Sequence, residues 1–245
     1  MDASEYQTMA RVEQTHPWFL NRRRLIRGLV RRFASHLVRP RVLDAGSGTG
    51  VNLTEYANLG CAVGIELDPV AAAINVGRGN QRVAVGDLLR LPFGDASFDL
   101  VISTDVIEHI ADDVAALREM HRVLAPAGRI LITTPAYSWA YSNHDRHLHH
   151  VRRYDQWRLH QVFRQAGLKL LHSARYNAFL AAPVLLARLL RRQADGSDVG
   201  RPVPRLLAPA LDALWHLEAS LGARLDLGAG LTHVAVLTHA RIGAE

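Results

Sequence analysis

Val42-Leu43-Asp44-Ala45-Gly46-Ser47-Gly48-Thr49-Gly50 is the stretch that decides the fold of this 245-residue chain. Its apolar first half is typical of a buried strand, and its glycines form a turn that opens a helix. Glycine lets a backbone approach a ligand closely and adopt positive φ angles. The stretch therefore predicts the first strand, loop and helix of an α/β domain.

Short apolar runs alternate with helical segments after this loop. Strands are predicted at residues 41–45, 61–66, 82–86, 98–103, 128–134, 168–176 and 231–238. Helices are predicted at residues 18–38, 50–59, 69–77, 112–124 and 156–166. Alternation at this spacing indicates an α/β fold with a Rossmann-like, doubly wound, seven-stranded sheet and helices on both faces.

The composition excludes several classes of protein. Hydrophobic residues make up 49% of the chain, which excludes collagenous and disordered classes. Cys61 is the single cysteine, so the chain can form neither an internal disulfide framework nor a zinc site of several thiolates. The longest run without Asp, Glu, Lys or Arg, residues 130–144, is shorter than a membrane span. We expect a cytoplasmic protein.

The net charge of +6 resides in the first 41 residues, which carry nine arginines against Asp2, Glu5 and Glu13. The remaining chain is neutral overall, so the charge does not favour a nucleic-acid partner. The basic helix at 18–38 and the apolar segment 178–190 leave two interpretations open. They either contact a membrane surface peripherally or pack on the sheet with their arginine stems covering apolar surface.

Carboxylates stand at the ends of three predicted strands: Asp44 before the glycine loop, Glu66 after the second strand and Asp87 after the third. The carboxyl ends of parallel strands meet at one edge of the sheet, where such folds bind ligands. Glu66 can accept hydrogen bonds from two ribose hydroxyls, and Asp87 can accept one from an adenine amino group. The Gly-x-Gly-x-Gly spacing does not match a pyrophosphate, and Asp44 suits an ammonium or sulfonium group. The pattern favours S-adenosylmethionine over a nicotinamide dinucleotide.

Six motifs follow one another in order: LDAGSGTG at 43–50, VGIELD at 63–68, GDLLRLPF at 86–93, FDLV at 98–101, DVIEH at 105–109 and RVLAPAGR at 122–129. Together they resemble the class I S-adenosylmethionine-dependent methyltransferases, in particular the broad group of ubiquinone and menaquinone biosynthesis methyltransferases with a type 11 domain. The resemblance implies a sheet whose last strand is antiparallel. It also implies S-adenosylmethionine as the cofactor and S-adenosylhomocysteine as the product.

The resemblance implies a role for each part of the cofactor site. The loop and the carboxylate before it would receive the methionine part, and the ends of the second and third strands would receive ribose and adenine. The end of the fourth strand would offer a backbone acceptor. The implied cofactor-binding residues are Asp44, Gly46, Ser47, Gly48, Glu66, Leu67, Asp87, Leu88 and Thr104. Ser47 stands where the family often has cysteine.

Histidines cluster at residues 143–154, after the fifth predicted strand and over the expected acceptor pocket. A neutral imidazole can act as the general base for a hydroxyl. We predict His150 as the catalytic base, with His149 and His109 as further candidates. The residues that follow His150, namely Arg152, Arg153 and Tyr154, are expected to bind an anionic acceptor.

Asp105, Glu108 and His109 allow a second interpretation. Their acid-x-x-Glu-His pattern resembles the divalent-metal set of ubiquinone O-methyltransferases and of a small-RNA 3′-end methyltransferase family. The same residues are typical of a helix start, where acidic side chains are favourable. We predict no metal and keep these three residues as the alternative metal set.

The leading prediction is methyl transfer to a small or lipophilic metabolite, with an oxygen favoured over a nitrogen or carbon as the acceptor atom. The alternatives are methylation of an RNA end and a cofactor-binding protein without turnover. One methyltransferase domain would span the chain. Its predicted parts are a basic amino-terminal helix at 1–40, a cofactor-binding core at 41–136, cap segments at 137–157 and 177–228, and the remaining sheet at 158–176 and 229–240.

Overall fold

A computed structural model describes residues 3–179, 181, 208–222, 226 and 228–240. The strands are β1 (Arg41–Ala45), β2 (Cys61–Glu66), β3 (Val83–Val85), β4 (Phe98–Thr104), β5 (Leu124–Pro135), β6 (Leu168–Tyr176) and β7 (Thr232–His239). The α-helices are α1 (Ala3–Val12), α2 (Pro17–Phe33), α3 (Val51–Tyr56), α4 (Pro69–Gly77), α5 (Asp113–Val123), α6 (Asn143–His147), α7 (Gln156–Gln165) and α8 (Ala208–Gly222). Most of the predicted cap segment at 177–228 lies outside the described residues.

The seven strands form one sheet in the order β3-β2-β1-β4-β5-β7-β6. The strands from β3 to β5 pair in parallel, whereas β7 is antiparallel to both β5 and β6. The predicted Rossmann-like α/β fold with an antiparallel last strand is therefore confirmed. The strand order reverses between β1 and β4, and the crevice at such a switch point is where open α/β sheets bind ligands.

Several predicted boundaries are exact and others shift. β1, β2, β6 and α4 match the prediction residue for residue. β5 starts at Leu124, not at residue 128, because Leu124 pairs with Phe98 as soon as α5 ends. The predicted helix at 50–59 is confined to Val51–Tyr56, and the predicted helix at 18–38 ends at Phe33.

The amino terminus holds two helices where the sequence predicted one. Pro17 occupies the first turn of α2, a position that tolerates its missing N–H. The ring Nδ1 of His16 accepts a hydrogen bond of 3.3 Å from the backbone N–H of Trp18 and so caps this helix. The break between α1 and α2 follows from this cap.

The core has two layers, one on each face of the sheet. Leu43 and Val101 face the larger cluster under α5 and α7, whereas their neighbours Val42 and Leu100 face the smaller cluster under α2 and α8. This alternation follows from the two-residue period of a strand. A sheet covered on both faces is the arrangement that parallel strands require. Within the described residues, no helix is long and apolar enough to cross a membrane.

We expect Leu117→Ala in α5 to lower the free energy of unfolding by about 2–5 kcal/mol, because it leaves a cavity in the larger cluster. Leu217→Ala in α8 is the matched control, since 51% of that side chain is exposed, and it should cost less than about 1 kcal/mol. Urea denaturation of both variants checks the difference. Equal losses would contradict the assignment of Leu117 to the core.

Candidate functional site

The glycine loop after β1 needs its glycines for different reasons. Gly46 has a φ angle of +82°, and a Cβ there would lie 2.5 Å from Cγ2 of Val106. Gly48 has a φ angle of +52°, but a Cβ there would meet open space. Gly48 therefore faces the crevice, where a ligand can approach the backbone.

Asn75, in α4, holds the loop in place. Its side chain is completely buried, and its Nδ2 donates to the Oγ of Ser47 at 3.0 Å and to the carbonyl of Gly48 at 3.3 Å. The backbone N–H groups of Gly46 and Ser47 donate to the carbonyl of Ile65 at 3.0 and 2.9 Å. Ser47 thus supports the loop, and sequence analysis missed the part played by Asn75.

Asp44 is buried directly beneath this loop. Only 1% of the residue is exposed, and neither carboxyl oxygen has a hydrogen-bond partner among the described residues. Burial raises the pKa of Asp44 well above its usual range, repulsion from Glu66 raises it further, and the nearby charge of Arg22 opposes both effects. A buried carboxyl without a partner is costly, and a cationic ligand group would offset that cost.

Glu66 connects the loop to the start of α4. Its Oε2 accepts a hydrogen bond of 2.8 Å from the backbone N–H of Gly48, and its Oε1 accepts one of 3.0 Å from the N–H of Asp68. Each carboxylate oxygen retains a further acceptor position. Leu67, between these acids, is exposed. The arrangement fits a carboxylate that receives two hydroxyls beside the loop.

The ends of β3 and β4 carry the remaining predicted cofactor residues. Asp87 accepts a hydrogen bond of 2.9 Å from the backbone N–H of Leu89, whose side chain is exposed. Leu88 packs in the larger core cluster, which leaves little of it free for an adenine ring. Thr104 accepts a hydrogen bond of 3.2 Å from Asn52 through its Oγ1. The predicted contacts of Asp87, Leu88 and Thr104 with the cofactor stay predictions.

The amino-terminal helices contact the same crevice. The carboxylate of Glu13 is buried and accepts hydrogen bonds from the Oγ1 of Thr49 and, at 2.7 Å, from the Nη2 of Arg78. The Nη2 of Arg78 also donates to the carbonyl of Ala10, in α1, at 2.6 Å. Burial raises the pKa of Tyr6, in the same helix, and the charges of Glu66 and Asp68 raise it further. Helix α1 therefore lies over the cofactor end of the crevice, a contribution that sequence analysis missed.

Arg22, from α2, crosses to the end of β4. Its Nη1 bonds to Oδ2 of Asp105, and the hydroxyl of Thr133 donates to Oδ1 of the same residue at 2.8 Å. Asp105 has a φ angle of +54°, so the chain does not continue as a helix there. The predicted helix start is corrected to a single 3-10 turn at Ile107–His109, with α5 beginning only after its Asp112 cap.

Glu108 and His109 lie on this 3-10 turn. Glu108 is completely buried, and its Oε2 accepts a hydrogen bond of 3.0 Å from the hydroxyl of Thr134. Its Oε1 has no partner in the described part of the chain. Burial raises the pKa of Glu108 well above its usual range, and Asp105 adds to the effect. Burial and the neighbouring His150 lower the pKa of His109 to about 4.

His150 packs against His109 with its ring perpendicular to it, at a centroid distance of 4.7 Å. Its Nδ1 lies 2.9 Å from Oδ1 of Asp145, and the Nε of Arg153 donates to that same oxygen at 2.7 Å. Burial raises the pKa of Asp145, but the hydrogen bonds and the charge of Arg153 outweigh burial and lower it. In the neutral tautomer that donates its Nδ1–H to this carboxylate, Nε2 of His150 carries a free lone pair.

The structure corrects the expected roles of the two arginines after His150. Arg153 is buried against Asp145, and Arg152 bonds to the Oδ2 of Asp113 and, at 2.7 Å, to the carbonyl of Ala111. Both guanidinium groups serve internal carboxylates, so neither is available as the predicted anion-binding group. His149 is exposed, and its carbonyl accepts a hydrogen bond from the ring of His109.

The structure brings together a different metal-capable set from the one the sequence suggested. Glu108, His109 and His150 each offer one ligand atom, and these atoms lie within 4.8 Å of one another. Asp105 is engaged by Arg22 and Thr133 instead. His150 joins the set because the backbone N–H of Val151 donates to the carbonyl of Glu108 at 2.8 Å, which fixes the histidine segment against the 3-10 turn.

Comparison with known proteins agrees with this geometry. Residues 43–132 match the methyltransferase domain family. A demethylmenaquinone methyltransferase from Mycobacterium sp. (strain KMS) is 41% identical over 98 residues, which covers 38% of this chain and 40% of that protein. The chain thus spans less than half the length of this relative.

Solved structures extend the similarity to the fold of nearly the whole chain. One similar chain comes from the Haloferax volcanii complex between the Trm112 methyltransferase activator and a methyltransferase. Its TM-score is 0.64 at 19% identity, and the alignment covers 99% of this chain and 96% of that chain. A TehB-like methyltransferase from Corynebacterium glutamicum has a TM-score of 0.53 at 20% identity, with 87% and 88% covered. Residues 43–132 are therefore similar to the methyltransferase domain family, and the sheet has the fold of the S-adenosylmethionine-dependent methyltransferases.

Proposed function

We propose that this protein transfers the methyl group of S-adenosylmethionine to an oxygen of a small or lipophilic acceptor. The cofactor part of the proposal is carried by the buried carboxyl of Asp44, which lies beneath a glycine loop at the switch point of the sheet and has no partner among the described residues. The ammonium of a methionine group would satisfy this carboxyl, and Glu66 would receive the ribose hydroxyls. A diphosphate at the same place would be repelled by both acids.

The acceptor side of the proposal depends on His150. In the reaction, the acceptor oxygen attacks the methyl carbon, the carbon–sulfur bond breaks as the oxygen–carbon bond forms, and S-adenosylhomocysteine leaves. The hydroxyl proton goes to Nε2 of His150, which Asp145 orients through Nδ1. A positioned imidazole base of this kind typically contributes about 10²–10⁴-fold to a rate.

The arginines of α2 that lie next to the crevice do not favour an RNA end as the acceptor. Arg22 and Arg23 turn inward to Asp105 and to Glu13 and Glu55, whereas Arg27, Arg31 and Arg32 are exposed on the outer side of the helix. The two inward arginines are committed to internal partners, so cations for phosphate contacts are exposed only away from the crevice. Strongly salt-dependent RNA binding would reverse this preference.

Calorimetric titration tests the cofactor first. We expect S-adenosylhomocysteine to bind and NAD not to bind, and we expect Asp44→Asn to weaken S-adenosylhomocysteine binding by more than about tenfold because a neutral amide cannot pair with an ammonium. Asp99→Asn is the matched control, since Asp99 pairs with Arg41 at the start of β4, away from the crevice. Binding of NAD, or equal losses in both variants, would refute the proposed cofactor.

Proton release offers an independent check on Asp44. Burial raises the pKa of this carboxyl in the free protein, and pairing with an ammonium would lower that pKa and expel the proton. Affinity should therefore rise as the pH increases through the titration of the free-protein carboxyl. At a pH within that rise the binding enthalpy should depend on the ionisation enthalpy of the buffer, and Asp44→Asn should remove this dependence. A wild-type enthalpy that is the same in every buffer would contradict the pairing.

His150→Ala should lower turnover by more than about tenfold and leave S-adenosylhomocysteine affinity unchanged, because the imidazole acts on the acceptor. Transfer of labelled methyl to phenols and hydroxylated lipids provides the assay. His147→Ala is the control, since His147 pairs with Glu5 and not with the cluster. Unchanged turnover in His150→Ala would remove this residue from the mechanism, and cofactor binding without transfer to any hydroxyl would contradict O-methylation.

A further inference from the structure

We propose that Glu108, His109 and His150 bind one divalent transition-metal ion. The inference deepens the proposed function, because it concerns the acceptor side of the same site. The three ligand atoms come from two chain segments and lie within 4.8 Å of one another. An ion bound at about 2.0–2.2 Å from each atom needs them about 3–4 Å apart, so a small inward movement of the side chains completes the site.

Two of the three side chains are held through one polar atom, which leaves the other free for the ion. Asp145 lies 2.9 Å from Nδ1 of His150, and the hydroxyl of Thr134 donates to Oε2 of Glu108 at 3.0 Å. The ring of His109 packs against the ring of His150. Outer partners of this type orient metal ligands and fix the tautomer of ligating histidines. Nε2 of His150 and Oε1 of Glu108 are left to bind the ion.

The surroundings of Glu108 supply a reason for a cation. This carboxyl is completely buried, and its Oε1 lacks a hydrogen-bond partner in the described ranges. Thr134 contacts only the other oxygen. An ion placed between Oε1 and the two imidazoles would offset the cost of burying a carboxylate there.

The donor set indicates the class of metal. Two imidazole nitrogens with one carboxylate suit zinc, cobalt, iron or manganese, whereas magnesium and calcium prefer sites made of oxygen atoms. Three protein ligands leave a position open, and an acceptor hydroxyl bound there would lose its proton more easily. With the ion bound, His150 would act as a ligand and the proton would pass to solvent.

Asp105 separates this site from the metal set that the sequence suggested. Arg22 pairs with one of its oxygens and Thr133 donates to the other at 2.8 Å, so the side chain is committed elsewhere. The structure therefore predicts that His150, and not Asp105, supplies the third ligand atom.

Cobalt(II) titration of chelator-treated, dialysed protein tests the site without an activity assay. We expect one cobalt ion to bind per chain and to give visible absorption bands. His150→Ala and His109→Asn should each weaken the cobalt affinity by more than about tenfold. Asp145→Asn should weaken binding by about 10–100-fold through the orientation of His150. His147→Ala is the control and should leave affinity unchanged, because His147 pairs with Glu5. Asp105→Asn removes a charge near Glu108 but no ligand atom, so it should change affinity far less than either histidine substitution. Magnesium should not displace cobalt.

Circular dichroism of every variant ensures that a loss of cobalt binding is not a loss of folding. The inference would be overturned if the protein bound no cobalt, or if both His150→Ala and His109→Asn kept the cobalt affinity of the unaltered protein. It would also be overturned if Asp105→Asn lost as much affinity as the histidine variants. S-adenosylhomocysteine titration of the same samples separates the two proposals. Retained cofactor binding without cobalt binding rejects the metal site alone, whereas absent cofactor binding rejects the proposed function.

Discussion

The buried carboxyl of Asp44 is the constraint on which the site depends. It stands in β1 directly before the glycine loop, next to the point where the strand order reverses. Glu66, at the end of the neighbouring strand, adds a second acid, and the only cation that moderates the pKa of Asp44 in the described part of the chain is Arg22. A buried carboxyl without a hydrogen-bond partner beside a second acid lowers the stability of the folded protein. The arrangement is favourable when a cationic ligand occupies the crevice, and for this reason Asp44 indicates a cofactor more strongly than the glycines do.

Arg22 links the cofactor side of the crevice to the acceptor side. Its guanidinium bonds to Asp105, which follows β4. Its charge opposes the rise that burial causes in the pKa of both Asp44 and Glu108. Helix α2 therefore contributes to the electrostatics of the site as well as to the core. The basic amino-terminal segment, which at first suggested a surface for anionic partners, places two of its arginines inside the protein.

The acceptor side is organised by contacts between segments distant in the sequence. Asp145 orients His150, and the backbone of Val151 bonds to the 3-10 turn that carries Glu108. Arg153 shares Asp145 with His150 and is buried with it. This network keeps one nitrogen of His150 fixed and the other free, which is the property that both a general base and a metal ligand require.

Local patterns in the sequence were sufficient to predict the sheet. β1, β2 and α4 were predicted to the residue, because apolar periodicity and a proline at the helix start define them locally. The sequence also placed Asp44 and Glu66 at neighbouring strand ends, and their roles towards a cofactor stay predictions. The pairing of Arg22 with Asp105 was not predictable, since 83 positions separate these residues. The helix start that the sequence suggested at Asp105 is absent, because this residue has a positive φ angle that no local pattern indicated.

A crystal structure of the protein with S-adenosylhomocysteine would show whether Asp44 pairs with the ligand. We expect the ligand's ammonium within hydrogen-bond distance of Asp44, with both ribose hydroxyls on Glu66 and the sulfur directed towards His150. A ligand bound elsewhere, or one whose amino group leaves Asp44 without a partner, would contradict this expectation.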